Sequence, residues 1–133
     1  MAFVKLTNIQ QLDFQINRIL TYGEKACNYD EVTRAANGIY DLDTWFRTWY
    51  DLGQTAEQDR RFLHAAYYYR LADRDPYKER SYNLSITNFN KGIDADKNVQ
   101  KVAIPYKNSN MKTFISHMIK TKMVLIDRIY FLV

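Results

Sequence analysis

The sequence predicts a mainly α protein: a five-helix unit over residues 1–96, then a short β-hairpin and a third strand over residues 97–133. Three observations carry this reading. Apolar residues recur at steps of three and four as far as about Ile93, the period of helices with one buried face. After about Asp96, apolar residues instead alternate with polar ones, the period of a strand. Only four Gly and two Pro stand against eleven Tyr, seven Phe and two Trp, which excludes disordered and low-complexity classes.

Thr7-Asn-Ile-Gln10 has the form of a capping box, and Ile9, Leu12, Ile16, Ile19 and Leu20 follow as an inward stripe. Gly23 is placed to end this first helix in a left-handed cap. Asn28 or Asp30 opens a second, short helix with Val32, Ala35, Ala36 and Ile39 inward. Asp41 caps the third, whose inner face is Leu42, Trp45, Phe46, Trp49, Leu52, Gly53 and Ala56. The fourth is expected from about Asp59 to Ala72, packing Phe62, Leu63, Ala66, Tyr67 and Leu71. Pro76 suits the first position of a fifth helix, where its missing N–H costs nothing. That helix is expected to bury Tyr82, Ile86, Phe89 and Ile93 and to end near Gly92. Val102, Ile104 and Tyr106 then mark a strand, Lys107–Asn110 a turn, Lys112–Ile119 a second strand and Met123–Val133 a buried third.

The third and fourth helices form a hairpin. Trp49, Leu52, Gly53, Phe62, Ala65, Tyr69 and Ala72 fall close to tetratricopeptide (TPR) spacing, with Pro76 near its terminal proline. A shift of about 34 residues finds no second copy, and a single repeat cannot make a solenoid. One TPR-like hairpin inside a larger helical unit is the expectation.

Charge is uneven: residues 1–96 hold 12 basic and 14 acidic residues, and residues 97–133 hold 7 and 1. The basic lysines are spaced singly, as on a solvated strand face, rather than clustered as in a nucleic-acid footprint. Cys27 is the single cysteine and has no disulfide partner within the chain. No apolar run reaches the roughly 20 residues of a membrane span, and residues 1–8 lack the form of a signal peptide. A cytoplasmic protein without membrane association is therefore expected.

Asp13–Glu24, Trp45–Tyr50 and Ala65–Ala72 together resemble the N-terminal helical region of a group of α/β-hydrolases. These are esterase-like and C–C-bond hydrolases, including the pseudooxynicotine-hydrolase type. Asp75–Glu79 and Lys101-Val-Ala-Ile-Pro-Tyr106 extend the resemblance, the latter to the first strand of the hydrolase sheet. It implies a cap or dimer-contact role for the helices. The chain departs from the family where chemistry begins. It has no His-Gly-Gly loop, no Gly-x-Ser-x-Gly elbow and no later Asp and His to complete a triad.

No serine stands in an elbow, no carboxylates pair across a recognisable cleft, and His64 and His117 have no partner at zinc-ligand spacing. No catalytic residue, metal ligand or cofactor is assigned. Asp41, Asp43, Asp51 and Glu57 read as caps or solvated faces. The ligand- or interface-facing candidates are His64, Tyr67, Tyr68 and Tyr69. Three successive helical residues point about 100° apart, so a Tyr run cannot face one way, and Tyr is favoured at interfaces. The leading expectation is a non-catalytic helical cap or assembly module, partnered by a second copy as a dimer or by the missing hydrolase domain. The alternatives are the front fragment of a serine α/β-hydrolase and a free-standing protein-interaction module.

Overall fold

The computed structural model describes residues 2–107, 109–117 and 126–131. The chain is mainly helical and divides into two compact units, residues 1–92 and 93–133. The elements in order are α1 (Gln10–Thr21), α2 (Tyr29–Ala36), α3 (Leu42–Gln58), α4 (Phe62–Leu71), α5 (Lys78–Ala95), β1 (Val99–Tyr106), β2 (Ser109–His117) and β3 (Ile126–Phe131).

The entry to α1 differs from the expected capping box. Its N-cap is Ile9, with no side-chain cap. Thr7 is engaged elsewhere: its N–H and hydroxyl both donate to Asp13 Oδ1, at 2.7 and 2.8 Å. Asp13 also accepts from Leu6 N–H, and Asn17 exchanges two bonds with the backbone of Val4. Two buried polar residues of α1 thus tie down the segment before it, because a buried acceptor must find donors. At the other end Gly23 has φ +82° and its N–H reaches Leu20 O, the expected left-handed stop.

Asn28 caps α2 by accepting from Glu31 N–H. Asp41 caps α3 in a reciprocal box with Thr44. Trp45, Trp49, Gly53 and Ala56 are the buried face of α3. Leu42 is exposed instead, since it sits in the first turn, ahead of the part that meets the core.

The turn from α3 to α4 is tight. Arg61 N–H bonds to Ala56 O and Arg60 N–H to Glu57 O, with Arg60 at φ +61°. This is a Schellman stop with arginine where glycine is usual. It starts α4 at Phe62, later than Asp59.

Three expectations for α5 are corrected. Asp75–Tyr77 form a turn, and Lys78 rather than Pro76 opens the helix. Tyr77 there stacks on Phe46 at 4.7 Å. The buried face is Ser81, Ser85 and Asn88 rather than the Tyr82–Ile93 stripe, of which Tyr82 is exposed. Gly92 lies inside the helix because a Cβ there would come within 2.6 Å of Leu63. The Leu63 side chain of α4 packs onto the bare Gly92 backbone, and α5 runs on to Ala95.

In the second unit the strands form an antiparallel meander in the order β1-β2-β3. Tyr106 pairs directly with Ser109, so the turn is tighter than Lys107–Asn110, and Lys107 takes φ +53°. Pro105 is tolerated because β1 is an outer strand. A register shift at Ser116/His117 interrupts the pairing of β2 with β3. The expected ends of the second and third strands, Met118–Ile119, Met123–Leu125 and Leu132–Val133, lie outside the described residues.

Candidate functional site

The candidates all lie on α4, which meets α1 through Tyr67–Tyr22, α2 through Tyr68–Glu31, α3 through Tyr69–Gly53 and α5 through Leu63–Gly92. Successive side chains therefore meet different neighbours.

Tyr68 is fully buried, stacked on Trp49 with centroids 6.2 Å apart. Its hydroxyl donates to Glu31 Oε2 at 2.9 Å and accepts from Asn28 N–H at 3.1 Å. Arg61, aimed by the tight turn, grips both Glu31 oxygens at 2.9 and 3.0 Å. The same guanidinium lies 3.0 Å from His64 Nδ1. Guanidinium can only donate, so Nδ1 accepts and Nε2 carries the hydrogen that meets Glu24 O at 2.6 Å. His64 therefore connects α4 to the loop after α1.

The electrostatics are those of a structural clamp. Burial acts to raise the Glu31 carboxyl, but hydrogen bonds from Arg61 and Tyr68 outweigh it and hold the group below the ordinary glutamate range. Glu31 in turn keeps Arg61 protonated. Burial, together with Glu31, pushes the Tyr68 phenol upward, leaving it neutral. Cys27, 3% exposed, is pushed to about 11 by burial and then by Glu31. It remains a thiol and lacks the electropositive setting of a nucleophile.

Tyr69 is buried on another side. Its ring covers Gly53, and its hydroxyl donates to Glu57 Oε2 at 2.9 Å. Asn88 Nδ2 of α5 reaches the same oxygen at 3.1 Å. Glu57 thus joins α3, α4 and α5, whereas the sequence reading placed it on a solvated face. Burial and then Glu57 push the Tyr69 phenol upward as well. Tyr68 and Tyr69 are interior residues whose polar tips meet carboxylates, and Tyr69 also lines an open cleft of about 430 Å³ with Tyr50, Glu57, Phe62 and Arg80.

Tyr67 is half-buried and pairs with Tyr22, centroids 5.6 Å apart. Both line an open cleft of about 580 Å³ between α1 and α4, with Arg18, Arg70, Asp73 and Trp45. Trp45 Nε1–H is committed to Leu71 O at 2.7 Å, so the indole contributes apolar surface. Of the four candidates, Tyr67 is the one on this cleft. Among the described residues, no group of three or more His, Cys, Asp or Glu could hold a metal ion, and no helix is long and apolar enough to cross a membrane.

The sequence reading missed Glu31, Arg61, Glu57 and Asn88 as partners. Asn28 and Glu31 carried a local signal as cap and third helical residue, but their long-range bonds to Tyr68 carried none. No protein-family model matches the chain, and no curated protein matches it.

Proposed function

We propose that this chain is a non-catalytic assembly module, in which a rigid helical unit accompanies a small sheet that gains further strands on association. The observation that carries this reading is the β1-β2-β3 order. Among the described residues, β1 and β3 each pair along one side only, leaving backbone N–H and C=O groups for another chain. The two edges are unequal. Pro105 removes a donor from β1, whereas Ile126-Asp-Arg-Ile-Tyr-Phe131 contains neither proline nor glycine. β3 is the receptive edge, and a second copy meeting it across a twofold axis makes a closed dimer. The polar side chains of α4 support the same reading, since Tyr68, Tyr69 and His64 are all committed to holding helices together.

Sedimentation equilibrium of the wild type and Ile129→Pro tests it. A dimer that dissociates on the β3 substitution, with the helical signal retained, supports the module. An Ile129→Pro protein as dimeric as wild type overturns the β3 edge.

A second reading is favoured by the position of Lys101-Val-Ala-Ile-Pro-Tyr106. This hydrolase-like segment forms most of β1, which fits a front portion of a serine α/β-hydrolase whose further strands add at β3. A coding frame that runs past Val133 into a Gly-x-Ser-x-Gly segment supports this reading, and a stop codon there removes it.

A further inference from the structure

We propose that the cleft between α1 and α4 binds a flat aromatic carboxylate. Its volume of about 580 Å³ lies within the range of roughly 300–1,000 Å³ typical of small-molecule sites. One wall is the Tyr22–Tyr67 pair, inclined at 43°, and Tyr22 stays 55% exposed at the mouth. Trp45, only 6% exposed, and half-buried Leu71 form an apolar floor beneath this wall.

The charged groups set the other half of the specificity. Arg18 lies in the last turn of α1 and Arg70 in that of α4, so helices from different parts of the sequence bring two guanidiniums to one opening. The ion pairs among the described residues are Arg61–Glu31, Arg61–Asp59 and Arg74–Asp43, and they include neither arginine. Arg70 instead lies over the Tyr82 ring at 4.9 Å, which leaves its hydrogen-bond donors unspent. A planar guanidinium matches a carboxylate in two parallel bonds. Asp73 offsets one of the two positive charges, so the cleft suits a ligand with a single negative charge.

The test titrates the full chain with indole-3-carboxylate and, separately, with the neutral indole-3-carboxamide, following backbone amides by NMR. The expected result is that shifts centre on residues 15–22 and 67–73. The carboxylate should bind about tenfold or more tighter than the amide, as a charge-assisted hydrogen bond requires. Arg18→Gln and Arg70→Gln should each bring the carboxylate toward the amide's affinity, while Tyr22→Ala weakens both probes alike. Arg18 is exposed, so its substitution leaves the melting temperature unchanged and decides the matter if Arg70→Gln loosens its contact with Tyr82. Absence of shifts, shifts centred elsewhere, equal affinity for the two probes, or indifference to Arg18→Gln would overturn the site.

Discussion

The ring of Tyr69 lies against the bare backbone of Gly53, where a Cβ would come within 2.8 Å of it. The ring cannot withdraw, because it is 2% exposed and its hydroxyl is tied to Glu57. Gly53→Ala therefore sets overpacking, at about 1–3 kcal/mol, against a helix-propensity gain of roughly 0.5–1 kcal/mol. A net loss of stability is expected in a denaturant melt. Gly38→Ala is the control, since its nearest neighbour would lie 3.7 Å away, and it should cost nothing. Equal stability of the two variants would mean that α3 and α4 are not in this close contact.

Trp49 is fully buried between Trp45 and Tyr68, and its Nε1–H has no partner among the described residues. Its contribution is apolar area and ring contact. Trp49→Ala should cost about 3–5 kcal/mol, while Trp49→Phe, which leaves no donor unsatisfied, should cost clearly less. Chemical denaturation of both variants measures the difference.

The Glu31 clamp predicts a pH dependence. The folded carboxyl sits below its ordinary value of 4.5, so its contribution is fully present above that pH. It is lost as pH falls through the lower, folded value. The acid limb of wild-type stability should therefore be steeper than that of Glu31→Gln, measured by thermal melts from pH 7 downward. Tyr68→Phe leaves Asn28 N–H without its partner, while Glu31 Oε2 keeps Arg61, and should cost about 1–3 kcal/mol.

Arg60 holds a left-handed conformation that glycine adopts without penalty. Arg60→Gly should stabilise the turn by roughly 0.5–1 kcal/mol. A lower melting temperature would show that the arginine side chain contributes more than its backbone strain costs.

Much of the helical unit was legible because its signals are local. Asp41 and Asn28 as caps, Gly23 as a stop, and the Trp45–Ala56 face depend on residues within one or two turns. The face of α5 was not legible. Ser81, Ser85 and Asn88 are buried although polar, with Ser85 bonded to Tyr82 O and Asn88 to Leu84 O and Glu57, so the stronger apolar stripe beside them misdirects the reading. The Tyr run was legible as facing three ways, but not which ring goes where. That depends on Glu31 and Glu57, which lie 37 and 12 residues away in sequence. The cleft at Tyr67 likewise joins Arg18 to Arg70, and no spacing rule connects them.

The most direct test of the assembly reading combines light scattering with hydrogen exchange across a range of concentrations. The account predicts a dimer whose β3 amides become protected as the monomer disappears. A clean monomer at the highest soluble concentration, with β3 amides exchanging at a concentration-independent rate, would contradict it.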